Sequence, residues 1–447
     1  MNASSPHRID LRTALCVLGL ALVFDRLFWR QDIGLNLALF TVVAMGVALA
    51  LRRSASVSAR WVLGGLLICA TMVVVHGSVI AVVGALACLA VGAVLLLEPA
   101  QRNLPVALMA AVFNALFAPV GVAGAVNIGL KRLPATRTGW RWTRLALLPV
   151  AVLLVYTFIY RAANPRFEAL TAGFMDGLLD LLGDLFAELV TPHVLFIGFA
   201  LIASVALLHR SAPHLFAGPA WPMNEALTRV RKRRSHWLAP LAMGALDRER
   251  RMGLLLLVLV NALLLVVNLV DISWVWFGFT VEEGFDLKQF VHEGTWLLIL
   301  SILLSMALLL HLFRGNLNFH PKQLLLRALA AAWIAQNFIL GISVFLRNYH
   351  YIHFHGLAYK RIGVIVFLAL MLVGLVTLYL KVRERRTLVY LLRVNGWAAF
   401  VALVALSTVN WDGVIVRYNL AHWNQGEIDV DNYLAMSDKV LPLLYAD

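Results

Sequence analysis

Between Ser78 and Leu97 the chain reads SVIAVVGALACLAVGAVLLL, without a charged side chain. About 20 mostly apolar residues let a helix cross a bilayer, where every backbone N–H and C=O must find its partner within the segment. Runs of this kind recur at 11–24, 33–51, 61–75, 78–97, 144–160, 193–208, 252–275, 295–313, 328–346, 362–380 and 394–410. The expected fold class is all-α: a polytopic helical membrane bundle of about eleven spans over residues 1–410, followed by a short helical C-terminal cap over 411–447.

A twelfth span is possible. LPVALMAAVFNALFAPVGVAGAV (104–126) is apolar but carries Asn114, Pro119 and glycines. Irregular backbone at membrane depth needs protein or water around it, and the expectation here is a segment that enters and returns. Charge supports that choice. With eleven spans and the N-terminus inside, the inner segments carry +3 (52–60), +5 (98–144), +6 (209–251), +3 (314–327) and +4 (381–393). The outer segments 161–192, 277–293 and 411–447 carry −3, −3 and −4. Basic loops stay in the cytoplasm, so this arrangement puts the N-terminus there and the C-terminal tail outside. A crossing at 104–126 would turn Arg52, Arg53 and Arg60 outward.

Only 14% of residues are charged, against about 25% in soluble proteins. The net charge of +14 is a property of the loops between apolar runs. It indicates orientation and contact with anionic lipid headgroups rather than nucleic acid. The basic loop 209–251, with RVRKRRSHW at 229–237, also offers a protein partner a place to dock. Cys16, Cys69 and Cys88 lie inside apolar runs without a CxxC spacing, as small buried residues do. Arg8 and Arg12 precede the first run, but DRLFWRQD follows it instead of a small-residue cleavage site. That predicts an uncleaved first span.

One outer segment, within 161–192, is amphipathic. Asp176, Asp180, Asp184 and Glu188 recur every four residues and form one stripe of a helix. Phe174, Leu178, Leu181, Leu182, Leu185 and Leu189 take the other face.

Two spans carry polar residues in helical register. Asn261, Asn268 and Asp271 fall within about 80° on the seventh, and Gln336, Ser343 and Arg347 within about 40° on the ninth. Ionisable residues at that depth pair with one another or line a wet cavity. Two readings follow: a hydrogen-bonded seam that holds the bundle, or a polar cavity opening outward between these spans with Asp271 and Arg347 as its charge pair.

Arg347 also begins RNYHYIHFHGLAYKR, the one outer segment in this scheme with a clear basic excess. His350, His353 and His355 stand at i, i+3 and i+5. Neither a helix nor a strand converges all three on one point, which makes them weak metal candidates. Arg361 and the arginine side of the loop suit an anionic headgroup or solute better. His292, Glu293 and Asp412 belong to the same predicted face and are the acid/base candidates if the protein is an enzyme. No HExxH, GxSxG, Walker A or dinucleotide fingerprint is present, and no cofactor is implied.

YIHFHGLAYKRIGVIVFLALMLVGLVTLYLKV resembles the pattern Y-I-x-x-x-G-L-[TA]-x-x-R of bacterial multi-pass proteins grouped as domains of unknown function of the 4153/4173 type. DRLFW…GLN (Asp25–Asn36), VNLVDISWVWFG followed by VHEGTWLLILSI, and the tail NWDGVIVRYNL…DNYLAMSDKVLPLL are similar to that family as well. The resemblance implies a bacterial inner-membrane protein and carries no activity with it. Its matching positions are Asp25, Asp271, Gly294, Tyr351, Gly356, Arg361, Asn410, Asp412, Asn419 and Tyr433.

These readings lead to a transport- or envelope-associated membrane protein with an outward polar site for an anionic lipid or solute. The ligand-binding candidates are Asp271, Arg347, Arg361, His292, Glu293, Tyr351 and Asp412. The alternatives are an enzyme acting on a lipid-linked substrate at the outer face, and a sensory or scaffold subunit.

Overall fold

The computed structural model describes residues 9–52, 55–132, 165–189, 191–212, 224–229, 245–277, 287–422 and 440–444, with Leu153, Thr157 and Met436. Among these residues the protein is helical, apart from one isolated bridge between Ala226 and Arg386. Among the described residues, nine helices are long and apolar enough to cross a membrane: Leu35–Arg52, Val57–His76, Val79–Leu97, Leu104–Ala123, Leu246–Trp276, Gly294–Leu312, Leu324–His355, Tyr359–Glu384 and Leu388–Ser407. The predicted span at 11–24 is a helix, Leu11–Phe28, that also carries Arg12, Asp25 and Arg26. That at 193–208 is a shorter apolar helix, Pro192–Leu208. The span expected at 144–160 lies outside the described residues, Leu153 and Thr157 excepted.

The chain divides into two compact units, the first made of residues 1–77, 82–102 and 106–220, the second of 78–81, 103–105 and 221–447. The helices are α1 (Leu11–Phe28), α2 (Leu35–Arg52), α3 (Val57–His76), α4 (Val79–Leu97), α5 (Leu104–Arg132), α6 (Pro165–Leu189) and α7 (Pro192–Leu208). They continue with α8 (Ala245–Asp271), α9 (Leu287–Leu312), α10 (Leu324–His355), α11 (Tyr359–Glu384), α12 (Leu388–Ser407), α13 (Trp411–Ala421) and α14 (Leu441–Leu444).

In the first unit the starts and stops follow local chemistry. Asp10, Ser56 and Thr191 cap α1, α3 and α7 through their side-chain oxygens. Gly77, with φ +65°, ends α3 in the left-handed region. The acidic segment is helical as expected, and Asp176 and Asp180 are exposed on α6.

The expectation for 104–126 is corrected: α5 is one continuous helix with Pro119 inside it. Asn114 does not break it, because its amide serves the end of α7. Its Nδ2 donates to the carbonyls of Ala206 (2.6 Å) and His209 (2.8 Å), and its Oδ1 accepts from the amides of Ser211 (2.7 Å) and Ala212 (3.1 Å). A polar side chain at membrane depth is thus spent on the orphan groups of a neighbouring helix terminus. If both α5 and 144–160 cross, the segments before α5 change sides relative to those after it. The cytoplasmic N-terminus rested on the other choice.

Glu98, just past α4, pairs with Arg210 at 3.3 Å. Burial pushes its pKa up, with Arg210 opposing. A raised acid favours the fold at low pH and loses that contribution as pH rises through its folded-state pKa. Glu98→Gln is therefore expected to melt at or above the wild-type temperature at about pH 8, with the gap closing towards about pH 4. Melting curves of both proteins at the two pH values check this; a variant clearly less stable at the higher pH would show that the Arg210 contact dominates.

The second unit is built around α10, which packs against α8, α9 and α11. Its 32 residues span about 48 Å, more than the roughly 30 Å hydrocarbon core. Leu257, Ile302, Leu309, Leu326, Leu340 and Leu368 form the dry centre. Lipid is as apolar as leucine, so close packing and interhelical hydrogen bonds hold such helices. Gly341 and Gly374 permit the approach: a Cβ on either would stand 3.0 Å from Leu372 or Met306.

One end of this unit is basic. Glu225 pairs with Arg393 at 2.9 Å, and Asp247 with Arg250 and Arg251 at 2.9 and 2.8 Å. The buried Lys381 donates to the Phe313 carbonyl at 3.1 Å, just beyond the C-terminus of α9, where cations are favoured. The opposite end holds the site.

Candidate functional site

The polar stripes meet as a seam between α8 and α10. Gln336 Nε2 donates to Asn261 Oδ1 (2.9 Å), Asn261 Nδ2 to the Leu329 carbonyl (3.1 Å), and Asn268 Nδ2 to the Gln336 carbonyl (3.0 Å). At the end of the seam Arg347 Nη2 donates to Asp271 Oδ1 at 2.5 Å, with both side chains buried. Asp271 ends the α-helical part of α8. The next turn, Ile272–Trp276, is a π-helix, a wider turn that re-aims the backbone. From it Trp276 Nε1 donates to Ser343 Oγ at 2.9 Å, and the Val275 carbonyl lies 3.2 Å from His350 Nε2. Direct contacts join the seam along its length.

A cavity lies beside the seam, on an adjoining face of α10, between α9, α10 and α11. It encloses about 490 Å³, within the usual range of small-molecule sites. Asn348 and Tyr351 form its back, Thr295 and Trp296 one wall, and Lys360 and Arg361 its charged end. Ile299, Val364 and Phe367 continue the walls deeper. Gly294 links cavity and seam: a Cβ there would stand 3.1 Å from Arg347 Nη1.

RNYHYIHF is helix, not loop, because α10 runs on to His355. It stops at Gly356, whose φ of +78° and ψ of −177° belong to a region almost reserved for glycine. Arg361 then folds back over the helix end. Its Nη1 donates to the carbonyls of His355 (2.7 Å) and Gly356, and its guanidinium lies 4.5 Å over the Tyr351 ring. Arg361 is first a cap for orphan carbonyls and a cation–π partner. Asn348 Nδ2 donates to the Arg361 carbonyl at 3.2 Å.

The tail locks the same corner. Asn419 Oδ1 accepts from the Leu357 amide (2.6 Å), and Asn419 Nδ2 donates to the Leu357 carbonyl (3.0 Å). Tyr359 Oη donates to Asp412 Oδ1 at 2.5 Å. Asn410 caps α13 by accepting from the Gly413 amide at 3.2 Å. Val440 packs on Val416 of α13.

The three histidines go separate ways. His350 meets the Val275 carbonyl, His353 is exposed beside Phe354, and His355 stacks on Tyr351 with ring centroids 4.4 Å apart. Among the described residues no group of three metal-ligating side chains converges. His292 and Glu293 lie on α9 in the turn before Thr295; their side chains are outside the described residues.

Lys360, Thr295 and Asn348 were absent from the candidates read from sequence. Lys360 carried a signal, as a base in an outer segment short of acids. Thr295 and Asn348 carried none: a threonine and an asparagine in a membrane helix more often bond within the bundle.

Of the positions that carried the family resemblance, Asp271, Gly294, Tyr351, Gly356, Arg361, Asn410, Asp412 and Asn419 gather at this end of the second unit. Asp25 belongs to the first unit, 2.7 Å from His193. Tyr433 lies outside the described residues. No curated protein and no solved structure matches the chain. The model of one family, described as a domain of unknown function (DUF4153), matches residues 39–446, and the chain belongs to that family.

Proposed function

We propose that this multi-pass membrane protein holds an anionic ligand in the cavity at Lys360 and serves transport across, or upkeep of, the bacterial inner membrane. The basic end of the second unit faces the cytoplasm in this reading, and the cavity with the α13 tail faces outward. One observation carries it. Lys360 lines the cavity with no acidic side chain in ion-pair reach among the described residues, while Asp271 is already held by Arg347 and Asp412 by Tyr359. Among the described residues these two carboxylates are engaged elsewhere, which leaves the Lys360 ammonium available to a bound anion. Arg361 adds positive potential from a fixed position.

The test is ligand-dependent melting of the detergent-purified full-length protein. A ligand that binds only the fold raises the melting temperature with concentration. The probes are dioctanoyl phosphatidylglycerol, dioctanoyl phosphatidylcholine and inorganic phosphate. At least one anionic probe is expected to stabilise the wild type more than phosphatidylcholine does. Lys360→Gln removes about 1.5–3 kcal/mol of that binding, roughly ten- to hundredfold in affinity. Indifference of the wild type to both anions, or an unchanged response in the variant, would sink the proposal.

A further inference from the structure

We propose that the occupant of this cavity is a membrane-resident anionic lipid, which enters sideways between α9 and α11 and lays an acyl chain along their walls with its headgroup at Lys360. This rests on the anion reading above and adds where the ligand comes from.

The first argument is the order of polarity with depth. Lys360 and Arg361 occupy the first turn of α11, and Gly363, Val364 and Phe367 follow along the same cavity. Phe367 stands about 10 Å further along the helix than Lys360. On α9 the order repeats, from Thr295 to Ile299. A water-soluble anion wants donors on all sides, and the deeper half offers apolar walls instead. An amphiphile needs this sequence: charge at the helix ends, hydrocarbon below.

The second argument is the way in. Trp296 is 67% exposed and Phe367 41% exposed, although both line the cavity and both lie in spanning helices. In this reading acyl chains surround both rings. Gly363 stands at the cleft, and a Cβ placed on it would meet nothing within 4 Å. The cleft between α9 and α11 is therefore open towards the hydrocarbon, with a glycine at its threshold.

The third is a waiting polar group. Thr295 is 93% buried in the cavity wall, and among the described residues its Oγ1 has no hydrogen-bond partner. Such a hydroxyl in an apolar wall suits an ester carbonyl just below a headgroup. Lys360 can lay its methylenes along the chain and keep its ammonium at headgroup level.

The experiment uses full-length protein in vesicles and reads quenching by lipids brominated on their acyl chains. Trp296 emission is isolated as the difference between wild type and Trp296→Phe. Brominated phosphatidylglycerol is expected to quench it severalfold more than brominated phosphatidylcholine at equal mole fraction. Lys360→Gln should abolish that preference. Gly363→Leu, whose Cβ meets nothing within 4 Å and which keeps a helix-favouring residue, should abolish the same preference with an unchanged melting temperature. Equal quenching by both lipids, insensitive to either variant, overturns the lipid entry. Binding of inorganic phosphate that depends on Lys360, without preferential quenching, overturns the lipid while leaving the anion reading intact. Neither response in the wild type overturns both.

Discussion

Asp271→Ala is expected to destabilise the protein by about 3–5 kcal/mol, because it leaves Arg347 charged and buried without its carboxylate. Arg347 is 8% exposed and Asp271 5%, so neither end of the 2.5 Å contact is screened as a surface pair would be. Arg347→Ala should cost as much from the other side. The double variant Asp271→Leu/Arg347→Met should recover most of the loss, since a buried pair replaced by apolar groups of similar volume is often neutral or better. Denaturant titration in mixed micelles, with helical content as the signal, measures all four proteins. Additive losses in the double variant would show that the two side chains act separately. The pair also fastens the π turn at Ile272–Trp276 to α10, next to the contacts from Trp276 to Ser343 and from Val275 to His350. Its loss is thus expected to loosen the end of α8 before the dry centre around Ile302 and Leu340.

Much of this seam could be read before any coordinates. Asn261, Asn268 and Asp271 share one helical face, as do Gln336, Ser343 and Arg347, and period alone brings such residues together. The apolar runs likewise announced most of the helices, because in lipid a segment has little alternative to satisfying its own backbone. Failures came where a local signal had a distant partner. Asn114 and Pro119 read as a break in α5, yet Asn114 bonds to the end of α7, more than ninety residues along the chain. RNYHYIHF read as a loop because charge and histidine are rare in spans. It is helix because Arg361 caps its last carbonyls and Asp271 neutralises its first arginine. The cavity was missed for a different reason. It is made by three helix faces of which each shows only one or two polar residues, so no single stretch records it.

Gly356→Ala should damage the second unit far more than a single added methyl usually does. The backbone there has φ +78° and ψ −177°, a conformation that costs a side-chain-bearing residue about 1–3 kcal/mol. The added Cβ would also stand 2.7 Å from Asn419 Oδ1, and that oxygen cannot withdraw freely, since it accepts from the Leu357 amide at 2.6 Å. Two costs therefore add: strain at the end of α10, and loss of the two bonds that tie α13 to Leu357. Asn419→Ala separates them. By itself it removes both bonds, about 0.5–1.5 kcal/mol each, without straining residue 356. Combined with Gly356→Ala it relieves the steric part but not the backbone part. The double variant should thus be less damaged than the sum of the singles, yet never as stable as Asn419→Ala alone. Limited proteolysis between α10 and α11, together with the denaturant midpoint, reads both components. Wild-type protection in Gly356→Ala would mean that the turn can flip into an ordinary conformation. The geometry speaks against that, because Arg361 holds the carbonyls of His355 and Gly356 while it covers Tyr351 at the back of the cavity. A shift at Gly356 should therefore also reach the cavity and weaken whatever Lys360 holds there.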